Sequence, residues 1–260
     1  PDLVVTDVGA WACAEPLAGD AIYLLRQDPT NPGRFVAPTK LLSGVSSYQV
    51  AIGDFTGDGV PDLVTGGLLS DRRQLVLLAQ DPAARGSFLP PTSIPMAGSV
   101  SEIVAGDIDG DGRRDLFFHM YNNTASSTMA VMVQLPGGGF GPAVALAPQA
   151  GLNVQRLAIV DVNGDGRLDL IAHFQPQSSN YTAKLTVLLQ GAASMTWSAP
   201  VDTSLVGVER TEGTAFGDLN ADGQPDVALT GSTGSGGPYG SDWHIDSQVN
   251  LLLCLGQAGY

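Results

Sequence analysis

The 260-residue chain is poor in lysine, with 2 Lys beside 10 Arg, and poor in glutamate, with 4 Glu beside 22 Asp. So few cations in a chain of formal net charge −14 argue against a nucleic-acid partner, whose phosphates need neutralising. Glu is a good helix former, whereas Asp prefers caps, turns and metal loops; this imbalance argues against a helical bundle. No apolar run reaches about 18 residues, so no membrane-spanning helix is expected. The chain has only 3 His and 2 Cys, with no Cys/His cluster of zinc-binding spacing. Cys13 and Cys254 read either as two buried thiols or as one disulfide joining the two ends. No GxSxG, Walker or HExxH pattern occurs, so the chain reads as non-enzymatic. It opens at Pro1 without a basic, apolar leader and inside a repeat, which reads as a processed or partial chain.

Apolar residues make up 43%, enough for a core, and 33 Gly and 17 Pro punctuate the chain densely. Four segments align without gaps: GDFTGDGVPDLV from Gly53, GDIDGDGRRDLF from Gly106, VDVNGDGRLDLI from Val160 and GDLNADGQPDVA from Gly217. Their first loop aspartates, Asp54, Asp107, Asp161 and Asp218, recur at spacings of 53, 54 and 57 residues. A fifth copy opens the chain at Asp2-Leu3-Val4-Val5. Around each loop the order is the same: an apolar segment, the Asp loop, a second apolar segment, a polar loop, a third apolar run, an aromatic and a Pro-containing fourth segment. Short β-branched and aliphatic runs bounded by Gly, Asp and Pro read as strands. Four strands in roughly 50 residues, repeated, predict β-propeller blades of four-stranded antiparallel sheets. The fold class is all-β, a single propeller domain or part of one over residues 1–260. Five units are visible at about 1–48, 49–101, 102–155, 156–212 and 213–260; the first lacks its first strand and the last its fourth. The recurring aromatics Phe35, Phe88, Phe140, Trp197 and Tyr260 read as packing between blades rather than as a binding ladder.

The loops carry oxygen-bearing side chains at positions 1, 3, 5 and 9. These are Asp54, Thr56, Asp58 and Asp62; Asp107, Asp109, Asp111 and Asp115; Asp161, Asn163, Asp165 and Asp169; and Asp218, Asn220, Asp222 and Asp226. Carboxylates so crowded repel one another unless a cation sits among them. Gly at position 6 permits the sharp turn, and the backbone carbonyl of position 7 (Val60, Arg113, Arg167, Gln224) adds a candidate ligand. Hard oxygen donors without His or Cys suit Ca²⁺ better than a transition metal or Mg²⁺, with one ion per complete loop, about four in all. The loops are not EF-hands, because position 12 is Thr65, Phe118, Ala172 or Leu229 rather than Glu. Four bound Ca²⁺ would bring the formal charge from −14 to −6.

In these loops the chain resembles the FG-GAP/VCBS-type repeats of calcium-binding β-propellers, which occur in integrin α-subunit heads, fungal propeller lectins and secreted bacterial surface proteins. The Phe-Gly pair of the name is present at Phe216-Gly217; Ile52-Gly53, Ala105-Gly106 and Val160-Asp161 stand there in the other units, closer to the VCBS variant. The resemblance implies that the loop residues named above are calcium ligands, and that the protein is extracellular, secreted or on the cell surface.

The loops between second and third strands fall on the face opposite the Asp loops and carry Trp11, Tyr121, Asn123, Tyr181, Tyr239, Trp243 and His244. Loops on a rigid scaffold commonly bind, and these residue types suit protein and sugar contacts, although they also occur as plain solvated loop residues. His119 and His173 each follow the last loop Asp by four residues and read as ordinary strand histidines. The function expected is a non-enzymatic extracellular binding or adhesion module with a protein or glycan ligand. A carbohydrate-binding lectin and a structural subunit of a fibre or surface layer are the alternatives, and further blades or copies of the chain are candidate partners completing the ring.

Overall fold

The computed structural model describes residues 2–7, 21–45, 49–68, 70–122, 126–146, 149–150, 152–176, 183–205, 210–219, 221, 225–233 and 246–254. Nineteen strands and no helix form among them. The first sheet has three strands, β1 (Leu3–Asp7), β2 (Ala21–Leu25) and β3 (Thr39–Ser43). The second has β4 (Val50–Gly53), β5 (Asp62–Leu68), β6 (Asp71–Leu78) and β7 (Thr92–Pro95). The third has β8 (Ser99–Gly106), β9 (Asp115–Asn122) and β10 (Ser126–Met132), whose outer edge is shared by two short pieces, β11 (Val144–Ala145) and β12 (Gln149–Ala150). The fourth has β13 (Leu152–Val160), β14 (Asp169–Pro176), β15 (Lys184–Leu188) and β16 (Val201–Ser204). The fifth has β17 (Arg210–Gly217), β18 (Asp226–Thr233) and β19 (Asp246–Cys254).

Every pairing is antiparallel between neighbours in sequence, so each sheet is an up-and-down blade. The fold is all-β with blade-like sheets, as the strand spacing predicts. The first sheet begins at the second-strand position and the last ends at the third. No pairing among the described residues joins these two sheets into a closed ring. First strands begin earlier than the apolar runs suggest: β8 at Ser99, β13 at Leu152 and β17 at Arg210, three or four residues ahead of the expected unit starts. The extensions are polar and pass through irregularities at Val100/Ile103, Val154/Arg156 and Thr211/Gly213. A reading based on continuous apolar segments passes over such bulged, polar stretches.

The core lies between the sheets. Alternate residues of one strand face opposite neighbours, the period-2 geometry of a pleated strand. Phe118 packs with Phe55, Leu75 and Met132 between the second and third sheets, whereas Phe117 packs with Ile108, Leu157 and Leu170 between the third and fourth. Ile171, Leu185 and Val227 fill the next interface, and Ile22, Val45, Leu63 and Leu78 the one between the first and second sheets. Each sheet is therefore buried by its neighbours, the nearest-neighbour packing of repeat proteins.

Candidate metal centre

The Asp loops join first strands to second strands, and their local geometry follows from their side chains. Asp54 at position 1 accepts the amides of Gly57 (2.8 Å) and Asp58 (3.0 Å) on Oδ1 and that of Gly59 (2.8 Å) on Oδ2. Asp107 accepts Gly110 and Gly112, both at 2.9 Å. Asp161 accepts Gly164 (2.8 Å), Asp165 (3.1 Å) and Gly166 (2.8 Å). The position-6 glycines Gly59, Gly112 and Gly166 have φ of 83°, 86° and 83°, a left-handed turn that a side chain would strain. The loop thus wraps around its first carboxylate.

The position-9 aspartates are fully buried: Asp62, Asp115 and Asp169 are each 0% exposed and Asp226 5%. One oxygen holds the loop, through the amides of Phe55 (2.9 Å), Ile108 (2.8 Å), Val162 (2.9 Å) and Leu219 (2.8 Å). In the first three the other oxygen holds the end of the third strand, through the amides of Gln80, Gln134 and Gln190, all at 2.8 Å. Burial pushes the Asp115 and Asp169 carboxyls above the usual carboxylate range, against the pull of these amides. Burial also raises Asp109, and the neighbouring Asp111 and Asp107 carboxylates add to the effect.

Oxygens of Asp107, Asp109 and Asp115 lie within 4.8 Å of one another, a set that could hold a metal ion. This is the only such group of three among the described residues. Thr56, the position-3 residue of the first complete loop, has a buried Oγ1 without a hydrogen-bond partner. An acceptor facing into a carboxylate loop without a donor fits a cation ligand, as do the all-oxygen donors of the second loop. Position 5 behaves differently. Asp111 and Asp165 form ion pairs with the position-7 guanidiniums of Arg113 and Arg167. Those arginines also donate from Nε to the carbonyls of Gln134 (3.0 Å) and Gln190 (3.4 Å). The first complete loop has the buried Val60 in place of the arginine. Of the fourth loop, Asp218 and Asp226 are described, while Asn220, Asp222 and Gln224 lie outside the described residues.

Sequence reasoning missed a second set of residues, the glutamines that end the third strands. Gln134 donates from Nε2 to the carbonyl of Asp54 (2.8 Å) and Gln190 to that of Ile108 (2.6 Å), each crossing to the Asp loop of the preceding sheet. The turn after Gln134 adds Gly139 N to Phe55 O (2.9 Å), and Phe140 stacks at 5.5 Å on Phe55. Trp197 packs on the cluster that contains Ile108. The aromatics therefore plug the apolar position-2 residue of the neighbouring loop. The signal was present: Gln27, Gln80, Gln134 and Gln190 recur with the period of the loops and bridge to Phe35, Phe88, Phe140 and Trp197.

On the opposite face, Tyr121 ends β9 and is 37% exposed. Trp11, Asn123, Tyr181, Tyr239, Trp243 and His244 lie outside the described residues, as do Cys13 and Tyr260. His119 and His173 are buried, and burial pushes both down to about 4. Ser101 Oγ lies 2.8 Å from His119 Nδ1.

Residues 1–65 match the family described as FG-GAP-like repeat. They form an FG-GAP-type repeat. Modules of this type generally bind rather than catalyse and are typically extracellular. The match includes the loop from Asp54 to Asp62, and the loops from Asp107, Asp161 and Asp218 repeat its pattern in register. No curated protein matches the chain.

Proposed function

We propose that the protein is a calcium-stiffened FG-GAP-type scaffold that serves extracellular adhesion or surface binding without chemistry. The observation that carries the reading is the convergence of Asp107, Asp109 and Asp115 in a loop that the next sheet clamps through Gln190. A divalent cation there offsets the repulsion among the carboxylates and so fixes the loop on which the neighbouring sheet seats. Asp107, Asp109 and Asp115 would hold it in the second loop, with Asp54, Thr56 and Asp62 as the corresponding donors in the first. Tyr121 and the other second-to-third-strand loop residues form the candidate contact surface for a protein or glycan ligand. Thermal melts test this. Calcium raises the melting temperature, chelator lowers it, and Asp109→Asn loses most of the calcium-dependent shift. A melt indifferent to calcium and chelator would contradict the reading.

A further inference from the structure

We infer that β1 is an acceptor edge for an incoming strand: an extended apolar segment followed by an Asp loop, the first half of this same repeat type, supplied in trans. β1 occupies the second-strand position of its sheet, and among the described residues it pairs with β2 alone. In the second, third and fourth sheets the equivalent edge is covered by β4, β8 and β13.

The burial of equivalent residues shows what the covering strand does. Leu63, Leu116 and Leu170, one place after the position-9 aspartate, are 3%, 0% and 0% exposed; Leu3 is 46% exposed. Two places further, Thr65, Phe118 and Ala172 are at most 1% exposed, whereas Val5 is 38%. Beside this edge a cleft of about 490 Å³ opens between β1, β4 and β8, lined by Val4, Thr6, Ala51, Ile52, Ile103 and Ala105. An exposed apolar strand edge beside such a cleft is a template for β-augmentation.

Asp2 specifies the chemistry of the occupant. Its Oδ1 accepts the amide of Gln27 at 2.9 Å, the same bond that Asp62, Asp115 and Asp169 make to Gln80, Gln134 and Gln190. In those three units the other oxygen takes the amide of the position-2 residue of the Asp loop. Asp2 is thus set as the ninth residue of a loop whose first eight positions an incoming segment provides. A strand without the Asp loop would cover Leu3 and Val5 but leave that carboxylate unused.

The test uses a fluorescent peptide with the sequence of residues 49–60, QVAIGDFTGDGV, which places Val60 ahead of Pro1-Asp2 as it stands ahead of Pro61-Asp62. Added to the 260-residue chain in calcium, it should bind saturably by anisotropy and raise the melting temperature of the chain. A scrambled peptide should do neither. Asp2→Asn keeps an oxygen for the Gln27 amide, so the unliganded melt should be unchanged while peptide affinity falls roughly tenfold. Equal binding in calcium and chelator would support the acceptor edge and count only against a cation in this loop. No saturable binding at millimolar peptide, or equal binding by the scrambled peptide, would overturn the inference.

Discussion

At the scale of single residues, the polar groups buried between blades matter more than their number suggests. Glu102 on β8 is 6% exposed, and its carboxyl is pushed up to about 8 by burial, with Arg156 of β13 at 3.7 Å pulling in the opposite direction. An acid whose folded pKa is raised contributes stability that is fully present below its unfolded value, near 4.5, and lost as pH rises through about 8. Glu102→Gln should therefore melt higher than the parent at pH 9, with the gap closing as pH falls toward 4; melting curves across that range check it. The histidines carry the opposite sign: with folded values near 4, His119 and His173 favour the fold above about 6.5 and oppose it as pH falls toward 4. None of these shifts was legible in the sequence, because they depend on burial at bulged positions that no apolar pattern marks. The His119 and His173 positions on equivalent strands were legible, since a fixed offset from the loop survives folding.

At the scale of elements, the unit of construction is an Asp loop together with the turn of the following blade. Gly138 sits at φ 95°, and a Cβ there would lie 2.0 Å from the Thr56 carbonyl oxygen. Gly57 faces the same seam, with a Cβ position 3.2 Å from the Gly138 amide nitrogen. Gly138→Ala must push the turn off the loop, expose Phe55 and lengthen the Gln134–Asp54 contact, at a cost of about 1–3 kcal/mol typical of overpacking. Chemical denaturation should show that loss, whereas Gly112→Ala, where a Cβ meets nothing within 4 Å, should show only the smaller strain of its φ of 86°. The loops themselves were legible because Asp, Gly and Asp recur at fixed places. The turns were half legible: the aromatics stood out, but the glutamines did not, since a lone Gln at a strand end resembles any surface residue. Their role appears only when two sheets are brought side by side.

At the scale of the whole molecule, the blades form a chain of nearest-neighbour interfaces, so what fixes one loop is passed to the next through its clamp. The strand order within each blade was readable from repeat spacing. Blade edges such as β1 were readable as positions, but their exposure was not. The scarcity of Lys and Glu beside abundant Asp now has a physical origin: buried position-9 aspartates staple loop to strand, and the remaining loop aspartates form sites suited to cations. Bound calcium per chain, measured by elemental analysis after dialysis against dilute calcium and removal of the free ion, tests this most directly. About four ions per chain, falling by one with Asp107→Asn/Asp109→Asn, is the predicted result; a chain that folds and melts normally with no bound calcium would contradict it.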